Sequence, residues 1–192
     1  MANYKREKSE PLEKELKAFY QKTGKQFKEM DDLFEYSEKL GFSVWKLPLD
    51  EEKLDGIIVA NKRWKKIGLN QSLNLQDARF VLAHELGHYI KKHLSTDEDN
   101  LLIAEKDRIL HGEDKDDQEN DMDYMAAAML VPQETFIADL RECNFDFDKY
   151  VNKEDANLKE PLPENLQKKL AEKYCVDEAV ISRRVVEVAY YV

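Results

Sequence analysis

His84-Glu85-Leu86-Gly87-His88 constrains this chain more than any other segment. It sets two imidazoles four residues apart, with a carboxylate directly after the first. On an α-helix, positions i and i+4 share a face, so both rings can reach one metal ion. Glu85 lies about a quarter-turn away, near enough to touch a water on that ion without ligating it. This is the minimum apparatus of a zinc hydrolase. The competing reading is a core helix whose histidines are hydrogen-bonded to neighbours, so the surroundings must decide.

The flanks predict a buried helix. Residues 76–83 contain no Gly or Pro, and Asn74 is placed as an N-cap, with Asp77 closing a capping-box-like pair. Val81, Leu82, Leu86, Tyr89 and Ile90 spread over a broad apolar surface, which carries His84 and His88 into the interior with them. Gly87 costs about 1 kcal/mol relative to Ala inside a helix. Its place beside His88 predicts that another backbone passes close by.

A catalytic zinc takes three protein ligands and a water, so a third ligand must come from elsewhere. Residues 118–131, stopped by Pro132, read as a second helix. Glu119, Asp123, Ala126, Ala127 and Leu130 fall on one stripe of it. Glu119 is the expected metal ligand, and Asp123, one turn later, can accept the free ring N–H of a ligand histidine. The alanines would let the histidine helix approach, which would account for Gly87. Asp121 is the rival ligand. It points about 160° from Asp123 and as far from Glu119, so both acids cannot face one ion; Glu119 is longer and in phase with the alanines. A solvated acidic first turn, favoured by the helix dipole, would explain the acids but not the alanine stripe. Met122, Met125 and Met129 form a separate stripe and read as core filling. His111, before Gly112, is a candidate oxyanion donor, as are Tyr124 and Tyr89; His93 reads as a surface histidine.

Composition excludes several classes. The net charge of −10 disfavours nonspecific binding to nucleic acid or anionic membrane. Between Asp97 and Asp123 stand twelve Asp or Glu against three Lys or Arg, a pattern that is usually a solvated face and that can also attract a basic protein. No run approaches the roughly 18 apolar residues of a membrane span. The charged start of the chain has no apolar segment behind it that would make a secretory signal. Cys143 and Cys175 fit no metal-binding spacing and read as reduced thiols, so a cytoplasmic protein is expected.

Helical spacing covers residues 9–23 and 29–40, with Gly24 and Gly41 as stops. Strand-like runs follow at 42–47, 56–60 and 66–69, with Asn61-Lys62-Arg63 as a turn that predicts an antiparallel pair. The histidine helix spans about 74–93, a short helix is expected around 101–109, and further helices at 133–142 and 164–188. Residues 158–163 read as a linker. The expected organisation is a catalytic unit over 1–160, with N-terminal helices at 9–40 and a core at about 42–142. A helical appendage over 161–192 packs on it.

Arg79-Phe80-Val81-Leu82-Ala83-His84-Glu85-Leu86-Gly87-His88, followed some thirty residues on by Glu119-Asn120-Asp121-Met122-Asp123-Tyr124-Met125-Ala126-Ala127-Ala128-Met129-Leu130-Val131-Pro132, resembles the ImmA/IrrE family of metallopeptidases. Those proteins carry a segment like RFTLAHELGH and then one like ExEA(N/D)xFAAxLLMP, and the strand before the first helix ends in an Ile-x-Asn-like step, here Ile67-Gly68-Leu69-Asn70. The similarity covers roughly residues 30–140. This chain departs from the pattern at Asp121, Met122 and Met125. The resemblance implies an α+β, zincin-like fold, with a small antiparallel-rich sheet packed on an HExxH helix and a glutamate helix and one Zn²⁺ per chain. It also implies a role in prophages and conjugative elements, where such proteins inactivate a helix-turn-helix repressor by proteolysis.

On this reading His84, His88 and Glu119 hold zinc, and Glu85 takes a proton from water and passes it to the leaving amine. The substrate, expected to be a basic DNA-binding repressor, lies extended along a sheet edge formed within 56–70. The alternative is a regulatory protein of the same fold that sequesters the repressor without cutting it. The end of the chain has the outline of a helix-turn-helix. With Arg183 and Arg184 the one basic pair in its second helix and a net charge of −10, packing on the catalytic unit is the stronger expectation and direct nucleic-acid binding the weaker.

Overall fold

The computed structural model of the protein describes residues 6–24, 27, 32–49, 54–61, 63–91 and 117–192. In chain order these form α1 (Arg6–Thr23), α2 (Leu33–Lys39), β1 (Ser43–Leu47), β2 (Gly56–Ala60), β3 (Lys65–Asn70), α3 (Leu75–Ile90), α4 (Asp117–Leu130), α5 (Gln133–Glu142), α6 (Phe147–Tyr150), β4 (Val151–Asn152), β5 (Asn157–Leu158), α7 (Glu164–Tyr174) and α8 (Glu178–Val188). The fold is α+β, with the larger sheet lying over α3. His93, His111, the expected helix at 101–109 and most of the acidic run lie outside the described residues.

Asn61 makes the turn on which the sheet depends. Its side-chain oxygen accepts from the backbone N–H groups of Arg63 at 2.8 Å and Trp64 at 2.7 Å, and its own N–H donates to the Trp64 carbonyl at 2.8 Å. Asn and Asp favour such turns because the short side chain can mimic a backbone carbonyl. The turn sets β2 antiparallel to β3, with Ile58 opposite Ile67. β1 then joins the other side of β3 in parallel, with Val44 opposite the same Ile67. The strand order is β1-β3-β2, which leaves β2 as an edge strand.

Ile58, Ile67 and Leu69 are fully buried, as are Val81, Leu82 and Leu86 of α3. Each such side chain stabilises the fold by about 1.5–3 kcal/mol relative to exposure. α3 starts where expected: the Asn74 carbonyl oxygen of the side chain accepts from Asp77 N–H at 2.9 Å, and the Asn74 amide donates to Asp77 Oδ2 at 2.7 Å. The helix beside Gly87 is α4. A Cβ added at Gly87 would lie 3.2 Å from Met122 Sδ, 3.6 Å from Met122 Cα and 3.6 Å from Met125 Cβ. The close approach is therefore made by the methionine stripe rather than by the alanines, which corrects the expected reason for this glycine.

The segment 164–188 is two helices. α7 ends with Cys175 in the left-handed region at φ 51°, while Val176 N–H donates to Ala171 O and Cys175 N–H to Glu172 O. This is the Schellman arrangement, here with cysteine where glycine is usual. Asp177 then caps α8 through Ala179 N–H at 2.7 Å. Ahead of these helices, β4 and β5 form a hairpin that reaches into the segment read as a linker. Strands of two residues are too short to show alternation. No helix among the described residues is long and apolar enough to cross a membrane.

Candidate metal centre

α3 projects His84 and His88 from one face, as the four-residue spacing requires, and α4 packs against that face. The two helices bring three side chains to one point. His84 Nε2 lies 3.2 Å from His88 Nε2 and 3.1 Å from Glu119 Oε2, and His88 Nε2 lies 3.3 Å from Glu119 Oε1. His84 is fully buried and His88 is 4% exposed, whereas the Glu119 side chain is 27% exposed. The triangle therefore faces solvent on its Glu119 side.

His84 Nδ1 lies 2.8 Å from Asp123 Oδ1, and both residues are fully buried. An ionised carboxylate only accepts, so Nδ1 carries the proton and donates it to Asp123. A ligand histidine that donates from Nδ1 presents its lone pair on Nε2, the atom that here points into the triangle. That lone pair faces a Glu119 carboxylate oxygen, so negative density converges on one small volume. A cation satisfies this donor set. For tetrahedral zinc with bonds of about 2.0–2.1 Å, ligand atoms stand about 3.3 Å apart, close to the three spacings found here. His84, His88 and Glu119 thus form a group able to hold a metal ion.

Residues 37–185 match the family model of the IrrE N-terminal-like domain, peptidase M78. The chain belongs to that family. The matched region covers more than three quarters of the sequence and extends well beyond the two motif helices, taking in α7 and most of α8. No curated protein matches the chain.

Within this M78 domain the rival ligand is directed elsewhere. Asp121 Oδ2 lies 3.8 Å from Lys91 Nζ, at the C-terminal end of α3, and Asp121 is not among the three residues whose ligand atoms converge. The phenols named as oxyanion donors are also engaged away from the triangle. Tyr124 donates to Glu13 Oε1 at 2.9 Å and accepts from Arg184 Nη1 at 3.2 Å. Burial holds its phenol well above the ordinary value, against the pull of the Arg184 charge. Tyr89 accepts from Lys65 Nζ at 2.8 Å.

Two contributors to the site carry no sequence motif. The first is Gly56, at the start of β2. A Cβ there would sit 2.5 Å from Val81 Cγ1 and 2.9 Å from Glu85 Oε1, so any larger residue would force these two side chains to shift where the strand crosses α3. Asn70 clamps the chain just before it: Asn70 N–H donates to Asp55 O at 2.8 Å and its side-chain amide to Leu54 O at 2.9 Å. The second is Arg183 of α8, with Nη1 3.8 Å from Asp123 Oδ2. A strand glycine and a helical arginine are too common to stand out in a sequence; only the packing of distant segments gives them a place at the site.

Proposed function

We propose that this M78 domain is a zinc-dependent endopeptidase whose substrate is a basic helix-turn-helix repressor of a prophage or conjugative element. The observation that carries the peptidase reading is the convergence of His84, His88 and Glu119 with Glu85 on the same buried turn of α3. A zinc that only stabilised the fold would be closed by a fourth protein ligand and would have no need of a carboxylate beside an open position.

His84, His88 and Glu119 are the residues that would hold the metal. When bound, a zinc ion supplies Lewis-acid chemistry, acidifying water and polarising the scissile carbonyl. Asp123 keeps the His84 ring in the tautomer that ligates through Nε2. Glu85 accepts the proton of the attacking water as its oxygen bonds to the carbonyl carbon. The same carboxyl group then delivers that proton to the amide nitrogen as the C–N bond breaks. The edge of β2 faces no other strand among the described residues, so an extended peptide can add to it by backbone hydrogen bonds. The net charge of −10 favours a basic partner and steers its approach at low salt.

The test is incubation of the purified zinc-loaded protein with the repressor encoded nearest its own gene, beside Glu85→Gln. The wild type is expected to yield two defined fragments. Glu85→Gln is expected to bind zinc with unchanged stoichiometry and to lose at least about 10²-fold in cleavage rate. A repressor that is bound by the wild type and stays intact would overturn the peptidase reading in favour of sequestration.

A further inference from the structure

Arg183 and Arg184 of α8 are buried as deeply as the aliphatic core, at 4% and 0% exposure. Arginine is almost never buried to this extent unless paired, and these two are paired differently. Arg184 donates to Val131 O at 2.9 Å, to Glu187 Oε2 at 3.2 Å and to Glu13 Oε1 at 2.8 Å. It fastens α1, the end of α4 and α8 together. Arg183 donates to Glu187 Oε1 at 2.7 Å and to Asn120 O at 3.4 Å, and its Nη1 stands 3.8 Å from Asp123 Oδ2. The other oxygen of that carboxylate takes the His84 Nδ1 proton.

We infer that Arg183 is a positioning residue of the metal centre: it holds the plane of the Asp123 carboxylate and, through it, the His84 ring. The terminal torsion of an aspartate is broad, so the plane of the carboxylate is set by the groups that engage its two oxygens. A guanidinium beside the other oxygen helps to set that plane and supplies the opposite charge that a fully buried Asp123 requires. The planar fork of arginine reaches Glu187, the Asn120 carbonyl and Asp123 together, which the single ammonium of lysine cannot do. The final helix thereby becomes part of the metal site, although its sequence carries no ligand. This inference rests on the metal-site reading above.

The test is zinc affinity of the full chain, measured by competition with a chromophoric chelator at a temperature where every variant is folded by circular dichroism. The wild type is expected to bind one zinc, and Arg183→Met to bind one zinc several-fold more weakly, by no more than the roughly 10- to 100-fold usual when the direct partner of a ligand is removed. The double variant Asp123→Ala/Arg183→Met is expected to match Asp123→Ala alone, because Arg183 acts through Asp123. Arg184→Met removes a comparably buried charge that does not touch Asp123, although it shares Glu187 with Arg183; it is expected to melt lower and to lose clearly less zinc affinity than Arg183→Met.

Wild-type affinity in Arg183→Met, or losses that add in the double variant, would overturn the inference. So would equal losses of affinity in Arg183→Met and Arg184→Met. Arg183→Lys keeps the charge and loses the fork, and is expected to fall between wild type and Arg183→Met. It decides the matter should Arg183→Met fail to fold, since wild-type affinity in it also overturns the inference. A wild-type chain that binds no zinc is a different result: it removes the metal-site reading itself.

Discussion

Gly56 lies against Glu85, so close that a methyl group on Gly56 would stand 2.9 Å from Glu85 Oε1 and 2.5 Å from Val81 Cγ1. Val81 and Glu85 are both fully buried, so neither has free space into which to retreat. Gly56→Ala is expected to destabilise the fold by about 1–3 kcal/mol, the usual range for overpacking a core. Because Glu85 must shift, hydrolysis is expected to fall further than zinc binding. Chemical denaturation and zinc stoichiometry on one preparation check this; a variant with wild-type stability and cleavage refutes it.

Glu119 and Asp121 are two residues apart and face different partners. Glu119 meets both histidines, while Asp121 is 3.8 Å from Lys91. Glu119→Ala is therefore expected to lose stoichiometric zinc. Asp121→Ala is expected to retain it and to change stability by no more than about 1 kcal/mol, as for other partly exposed ion pairs. Metal analysis after gel filtration separates the two, and zinc loss in Asp121→Ala would reassign the third ligand.

Removal of metal is expected to lower the melting temperature, because the ion binds the assembled triangle and the unfolded chain has none. With free zinc at 100 to 1,000 times Kd, the stabilisation is about 2.7–4.1 kcal/mol. For a domain of this size that amounts to roughly 5–15 °C. Calorimetry with and without chelator measures it, and coincident transitions would show that the three side chains hold no ion in solution.

Cys175 occupies a left-handed backbone position with φ 51° at the end of α7. A non-glycine residue there costs roughly 1–2 kcal/mol, part of which glycine recovers. Cys175→Gly is expected to raise stability by about 1 kcal/mol. A lower midpoint in urea for this variant would mean that the thiol contributes more by packing than the backbone loses by strain.

Much of the site was legible because it obeys helical geometry. The four-residue spacing of the histidines, the N-cap at Asn74 and the shared phase of Glu119 and Asp123 are local properties, set by 3.6 residues per turn wherever the helix sits. Family membership followed from the same two segments, though the match reaches further along the chain than those segments do. The antiparallel pairing of β2 and β3 was equally local, since it depends on a turn at Asn61. The parallel addition of β1 was not, because a parallel partner is separated from its neighbour by intervening chain.

Arg183 and Arg184 show the other side. Read as sequence, they were a basic pair near the end of the chain and the thin support for contact with DNA; folded, both are buried against α4 and unavailable to phosphate. The reason given for Gly87 changed in the same way, from alanines to Met122 and Met125. By itself the sequence determined which side chains share a helix face, because that depends only on the pitch of the backbone. Only the tertiary structure decided which faces meet. A buried charge or a missing Cβ is explained by atoms supplied from distant segments, and those atoms come into range only when the chain is packed.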